Sequence, residues 1–331
     1  HHIAEAGQPL RHVAEVGVIG AGIMGERMMR AALEHAQGLV RVAGVWDPSA
    51  AAMQRIASAL PEIPRVSDVG ALIAGADCVY VASPPATHLG HSRAAIAAGK
   101  SVFCEKPLSV DVADSQAFVA EAGARGAVNF PFATSFAVER LRNWIADGAI
   151  GQPQRVTIDV GFRIWPRPWQ ADAVAWLDRR IEGGFTREVV SHFLFLTRRL
   201  GGPLTRLTSS VEYPVPDRSE RGIAATMTAG ALPVELKGRV GATDKDDHNL
   251  WTLIGDKGAV RLRDWSVAER RIGDGAWEPD PDAMSQDAAR PLVLKRQLAG
   301  VVSLTRGEAH PLATLREACD VQEIVEAILR S

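Results

Sequence analysis

Lys106 stands between Glu105 and Pro107 at the end of a short apolar run, where one side chain can reach two ligands at once. An ammonium donates a hydrogen bond or a proton to an oxygen, and the free amine takes a proton back. An alcohol losing a hydride, or a carbonyl gaining one, needs such a group, because charge on oxygen must be compensated as the carbon changes oxidation state. Three residues match by chance too often to mean much alone, so the surroundings decide. Upstream, Gly20-Ala21-Gly22-Ile23-Met24-Gly25 sets Gly-x-Gly-x-x-Gly directly after an apolar run and before a helical pattern, the context that makes this motif a dinucleotide-binding turn. Gly20 permits the tight turn, Gly22 lets the backbone approach a pyrophosphate, and Gly25 lets helix and strand pack closely. The free amides of the helix start favour the negative charge.

Asp47 closes the next apolar run, 47 − 25 = 22 positions after Gly25, near the spacing of the acid that bonds the adenosine ribose hydroxyls. An acid there disfavours a 2′-phosphate, and Pro48 and Ser49 follow it instead of an arginine, so NAD(H) is preferred over NADP(H). Ser83-Pro84-Pro85 breaks the chain after the third run, with His88 opening the following helix; these residues are expected to line the nicotinamide half of the cofactor. His88 and His91 lack a cysteine or acidic partner at zinc-like spacing, and no metal is expected.

The elements that must hold these groups come in two styles. Strand patterns at 16–19, 40–46, 78–82, 102–104 and 127–130 alternate with helical ones at 27–35, 50–60, 91–98 and 112–122, the signature of parallel strands joined by crossover helices. After about 130 a helix over 136–147 leads into strand patterns at 156–162, 207–213, 224–229, 234–240, 249–254 and 259–263, as in an antiparallel sheet with one face covered. A helical stretch over 185–200 interrupts them, and an amphipathic helix over 314–329 closes the chain. The expected fold is α/β: a doubly wound Rossmann domain over 11–130, then an α+β domain over 131–331 with a large open, mainly antiparallel sheet for substrate binding and oligomerisation.

Length and composition agree with two domains. The chain has 331 residues and a formal net charge of −2 without long charged runs, so neither nucleic acid nor an anionic membrane is an expected partner. Cys78, Cys104 and Cys319 lack metal spacing and read as reduced structural thiols. No apolar run approaches the roughly 20 residues of a membrane span. The His1-His2 start has no signal-peptide pattern and reads as the remnant of an added sequence. A cytoplasmic protein with a small-molecule substrate is expected.

Taken together, Gly20 to Gly25, Ser83-Pro84-Pro85 with His88, and Ala98-Gly99-Lys100-Ser101-Val102-Phe103-Cys104-Glu105-Lys106-Pro107 resemble the Gfo/Idh/MocA oxidoreductases over essentially the whole chain. The resemblance implies that Lys106 sits beside the nicotinamide and contacts the reacting substrate oxygen, with Glu105 holding Lys106 or the cofactor. It also implies a second catalytic position after Glu182-Gly183-Gly184. There the family commonly has three glycines, an Asp and a His four residues later, and this chain has Glu188 and His192. Spacing of four puts a carboxylate and an imidazole on one helical face, where the Glu can raise or orient the His. The longer Glu188 puts a plain sugar or inositol substrate in doubt. Arg163, Trp165 and Trp169, from an aromatic and basic segment, are substrate candidates that could fix an anion or stack a ring. The implied activity is transfer of a hydride between nicotinamide and a small polyol, sugar-like or related carbonyl compound. Reduction of an imine or other unsaturated ligand and a non-catalytic NAD(P)-binding sensor are the alternatives. A homodimer or homotetramer through the open sheet is expected.

Overall fold

Short Val- and Ile-rich runs, too short for a helix and buried on both faces, form the first sheet, as expected where crossover helices cover both sides. The computed structural model describes residues 13–170 and 175–331; the expected domain start at 11 and the His1-His2 start lie outside the described residues. The first unit runs β1 (Ala14–Ile19), α1 (Ile23–His35), β2 (Val40–Trp46), α2 (Ala50–Ala59), α3 (Val69–Ala74), β3 (Cys78–Val81), α4 (His88–Ala97), β4 (Ser101–Cys104), α5 (Val112–Ala122) and β5 (Gly126–Val128). Helix starts are fixed locally: Ser49, Asp68 and Asp111 each accept a first-turn amide at α2, α3 and α5, the usual N-cap arrangement. α1 starts at Gly22 without any side-chain cap.

The chain then passes through α6 (Phe136–Ala146), β6 (Pro153–Phe162), a π turn (Thr186–Val190), α7 (Ser191–Gly201), β7 (Leu204–Glu212), β8 (Gly222–Ala229), β9 (Leu232–Val240), β10 (His248–Gly255), β11 (Gly258–Arg263), β12 (Val267–Ile272), β13 (Glu278–Pro279), α8 (Gln286–Thr305), β14 (Ala313–Thr314) and α9 (Leu315–Leu329). Among the described residues the strands form two sheets, ordered β14-β5-β4-β3-β1-β2 and β13-β12-β11-β10-β6-β9-β8-β7. The first is parallel except for β14, and the second is antiparallel except where β6 runs parallel to β9. Strands alternate buried and exposed on the second sheet, as β9 does residue by residue, which leaves one face covered by helices and the other open. α7 is locked to the covered face by the buried Trp251 indole, which donates to Thr197 Oγ1 at 3.0 Å.

Residues after 131 do not all stay with the second sheet. α8 packs on α1, β14 pairs with β5 at the edge of the first sheet, and α9 lies against both α5 and α7. A single apolar core joins the two units, from Val79 and Val102 through Phe130 to Phe193 and Trp251 and back to Val325. Among the described residues no helix is long and apolar enough to cross a membrane. The three cysteines are free and buried, and burial pushes the Cys78 thiol up to about 12, away from thiolate chemistry.

Candidate active site

The turn after β1 is shaped by what its glycines exclude. Gly20 has φ +109°, and a Cβ there would lie 2.6 Å from the Ala82 carbonyl carbon, so only glycine fits. A Cβ on Gly25 would run into the Gly20 carbonyl oxygen, while at Gly22 nothing lies within 4 Å. That open space faces the uncapped start of α1, where the amides of Ile23, Met24 and Gly25 precede the first helical bond, Glu26 N to Gly22 O. An open backbone edge with free amides is what a pyrophosphate requires, so these residues fit a dinucleotide. The Asp47 carboxylate is fixed at the end of β2, accepting Ala21 N at 2.9 Å and Ser49 N at 2.8 Å. Each oxygen keeps a lone pair for a ribose hydroxyl. Sequence spacing did not bring out Arg55 of α2, which reaches the Ala21 carbonyl and pairs with Glu26 at 2.9 Å.

Ser83, Pro84 and Pro85 form the turn after β3, and His88 lies behind it. Its Nδ1 is 2.7 Å from Pro107 O and its Nε2 is 2.7 Å from Ser83 O. The expected cofactor contact is therefore replaced by a structural one: both ring nitrogens face protein carbonyls, tying the Ser83 turn to the Lys106-Pro107 turn. Burial lowers the His88 pKa, against the pull of the two carbonyls. A neutral ring donates to only one of them at a time.

Glu105 ends β4 inside the core. Its Oε2 accepts Tyr80 Oη at 2.7 Å and Asn129 Nδ2 at 2.7 Å, and Asn129 Oδ1 in turn accepts Gln297 Nε2 of α8 at 2.9 Å. The side chain thus holds the sheet edge and makes no hydrogen bond to Lys106. Burial raises its pKa, opposed by Tyr80, Asn129 and the Lys106 charge.

Lys106 leaves the sheet through a cis peptide to Pro107 and crosses to the second unit, where Nζ donates to the Arg187 carbonyl at 2.7 Å. That acceptor is available because of the π turn. Ser191 N bonds Thr186 O, five residues back, instead of the carbonyl four back, which is Arg187's. Ser191 Oγ donates to the same carbonyl at 2.6 Å. The turn is itself pinned: Glu220 caps Thr186 N at 2.8 Å, and the Arg187 guanidinium grips Glu326 of α9 at 2.8 and 3.1 Å. Burial lowers the Lys106 pKa; the Glu188 and Glu105 carboxylates work against this and the Arg167 guanidinium with it.

Glu188 and His192 do not meet as the spacing of four suggested. No hydrogen bond joins them, and the π turn between them breaks the α register from which that meeting was inferred. Glu188 acts instead on the charge of Lys106. His192 is enclosed edge-on by aromatic rings, with Phe130, Phe132 and Trp265 centroids at 5.7, 6.1 and 5.6 Å. Its pKa is held well below the ordinary value by burial, and further by Lys106 and Arg167. His192 is therefore a neutral ring beside a cationic neighbour, neither raised nor oriented by Glu188.

The aromatic and basic segment contributes a different residue from those expected. Arg163 is a surface side chain paired with Asp246 at 3.0 Å. Trp165 is core: it packs on Phe162 and Phe185 and donates to Leu177 O at 2.9 Å. Trp169 is 60% exposed, beneath the Arg167 guanidinium. Arg167 itself is 8% exposed and is felt by both Lys106 and His192. Trp265, also missed, sits in the β11–β12 turn with φ 68° after Asp264 at φ 50°, an unusual backbone for so large a residue. Its amide donates to Asn249 Oδ1 at 2.9 Å and its indole to Asp247 Oδ2 at 3.1 Å, which holds the ring against His192. Among the described residues no cluster of His, Cys, Asp and Glu is arranged to hold a metal ion.

Comparison with known proteins adds four findings. Residues 14–131 match the family described as "Oxidoreductase family, NAD-binding Rossmann fold". Inositol 2-dehydrogenase of Rhizobium meliloti (strain 1021) is 28% identical over 247 residues, 74% of this chain and 67% of that protein. Inositol 2-dehydrogenase 1 of Saccharopolyspora erythraea is 40% identical over 114 residues, 34% of each chain, so the chain spans between a third and two thirds of these curated relatives. An oxidoreductase from Agrobacterium radiobacter, solved in complex with NAD+, L-tartaric acid and magnesium, superposes with a TM-score of 0.79 at 17% identity, covering 97% of this chain and 96% of that one.

Proposed function

Because residues 14–131 match the Gfo/Idh/MocA oxidoreductase family, we propose that the chain oxidises or reduces a small polyol, sugar-like or related carbonyl compound, with Lys106 as acid and base. NAD, when bound, supplies or accepts the hydride. The observation that carries this reading is the placement of Lys106 Nζ: it leaves the first sheet at the same end as the dinucleotide turn, from β4 two strands away from β1, and is anchored 2.7 Å from a main-chain carbonyl of the second unit. In its neutral form Nζ gives one N–H to Arg187 O and keeps its lone pair for the proton of a substrate hydroxyl. In the reverse direction the ammonium gives that proton to the carbonyl oxygen. Burial lowers the Lys106 pKa toward the neutral amine, against the pull of Glu188, the direction a working base needs. His192, uncharged and enclosed by rings, offers a second hydrogen bond to the same oxygen. Phe130, Phe132 and Trp265 keep water from that side.

NAD(H) is the preferred cofactor in this reading. The Asp47 carboxylate would repel a 2′-phosphate, and Arg55 of α2 is already paired with Glu26. The open face of the second sheet would seat a second copy in a homodimer or homotetramer. The test is a panel of polyols, inositols and small ketones with both cofactors, read at the reduced-nicotinamide absorbance. Turnover with NAD(H) supports the reading. Tight binding of NADH with no turnover of any compound would leave a cofactor-binding sensor as the better description.

A further inference from the structure

Arg167 is built like a ligand-binding group. It follows a cis Trp165–Pro166 peptide, and its guanidinium lies over the indoles of Trp165 and Trp169, 5.7 and 4.8 Å from their centroids. Both packing partners are apolar, so hydrogen bonding is confined to its edges. Nε donates to Gln170 Oε1 at 3.0 Å and Nη1 to Asp247 Oδ2 at 2.7 Å. Nη2 has no hydrogen-bond partner among the described residues, although the side chain is only 9% exposed. It is not one of the enclosed unpartnered atoms among the described residues, so its edge stays open to solvent and to a ligand. Asp247 makes one hydrogen bond to Arg167, and its two oxygens also serve Trp265 Nε1 and Asn249 Nδ2.

The guanidinium adjoins the candidate active site. Asp247 joins Arg167 to Trp265, whose ring meets His192 5.6 Å away, and the Arg167 charge acts on both Lys106 and His192. We propose that Arg167 reads a carboxylate on the substrate, so that the compound oxidised or reduced is a hydroxy or keto acid of the sugar-acid type and not a neutral polyol. A planar carboxylate matches the edge of a guanidinium fixed in orientation. A single spare edge leaves room for one carboxylate, whereas a phosphate dianion would need further cations: the Arg167 charge is already shared with Asp247 at 2.7 Å, and Lys106 is committed to Arg187 O and the reacting oxygen.

This rests on the oxidoreductase reading above, and the experiment separates the two. Matched compounds of one carbon skeleton, carrying –CH2OH, –COO− or a phosphate ester at the same end, are compared on the full chain loaded with NAD+ or NADH. kcat/KM is read from reduced nicotinamide and binding is read by calorimetry. The carboxylate is expected to exceed its neutral twin by about 10-fold or more in both readouts. Arg167→Gln should cut that ratio by about 10- to 100-fold, the worth of a charge-assisted hydrogen bond, and Arg167→Lys should restore part of it. Equal or better use of the neutral twin, preference for the phosphate, an unchanged ratio in Arg167→Gln, or no binding of any carboxylate overturns the proposal. Because the twins are compared on the unaltered protein, the outcome does not depend on a variant folding. Arg167-dependent binding without turnover upholds the carboxylate site and sinks the oxidoreductase reading, while turnover of neutral polyols alone does the reverse.

Discussion

Replacing Lys106 by methionine separates chemistry from folding. Methionine keeps most of the buried stem and removes only the amine. The Arg187 carbonyl retains Ser191 Oγ at 2.6 Å as a donor, so one neutral hydrogen bond is lost, about 1 kcal/mol. Against this stands a gain. The folded pKa of Lys106 is depressed by burial, so its desolvation weakens the fold fully below that lowered value, and the penalty disappears as pH rises toward the unfolded pKa. Near neutral pH methionine escapes this penalty, so the loss of stability should not exceed that of the one hydrogen bond, about 1 kcal/mol or a few degrees in Tm for a chain of this size. Cofactor affinity should stay within about twofold, because neither the Gly20–Gly25 turn nor Asp47 touches the amine. Turnover should fall by about 10²- to 10⁴-fold, the usual worth of a positioned acid or base. Parent and variant are compared by initial rates of NADH formation from pH 5 to 10, by NADH titration and by thermal melts. The parent's alcohol oxidation should rise with pH as Lys106 loses its proton, and the variant's should lose that limb. A variant within about fivefold of the parent that keeps the limb would refute the role given to Lys106.

Two glycines of one motif should fail in opposite ways. Gly22→Ala meets open space and should leave the melt nearly unchanged while weakening NAD+ by about tenfold or more in a calorimetric titration. Gly25→Ala meets the Gly20 carbonyl and should cost about 1–3 kcal/mol in denaturant unfolding; the reverse pattern would mean that the turn has another purpose. Glu188→Gln removes a carboxylate that favours the Lys106 ammonium, so the rising limb of the oxidation profile should move to lower pH, and a shift to higher pH would contradict the pairing. Ser191→Ala takes away the second donor on Arg187 O and should lower kcat about 3- to 10-fold with little change in NAD+ affinity. Equal loss in both would indicate general damage instead.

What the sequence disclosed and what it concealed divide along physical lines. The five parallel strands of the first sheet were legible to within a residue or two because buried parallel strands are unmixed apolar runs closed by glycine or proline, whereas the two-residue antiparallel β14 was not. α8 was not: it is wedged between α1 and the Phe130–Thr134 segment, with buried residues from Ala289 through Gln297 to Leu304. It therefore lacks the single apolar stripe that betrays a surface helix, and Pro291 inside its first turns reads as a stop. β12 hid behind charge, since its Val-Ala-Glu-Arg-Arg-Ile buries Glu269 on Arg261 and Arg263. At the candidate site, the family resemblance pointed to Lys106 and His192, and aromatic and basic composition to the Arg163–Trp169 segment. Neither could reveal that the helix carrying Glu188 opens into a π turn, or which side chain of an irregular segment faces inward. Those outcomes depend on hydrogen bonds between residues tens to hundreds of positions apart, such as Glu220 to Thr186 and Arg167 to Asp247.

The return of the chain to its starting sheet has a consequence for how this protein can be cut or recombined. β14 covers the β5 edge, and α9 lies on α5 while its Glu326 holds Arg187. Residues 14–131, although they match a family as a block, would be exported from this chain with a bare strand edge and an uncovered apolar helix face. A graft that swaps substrate halves between relatives must carry the last strand and helix with the dinucleotide half and renegotiate Glu326 against the new partner of Lys106. The C-terminal helix thus belongs to the cofactor half by packing and to the reaction by its grip on a single carbonyl-bearing turn.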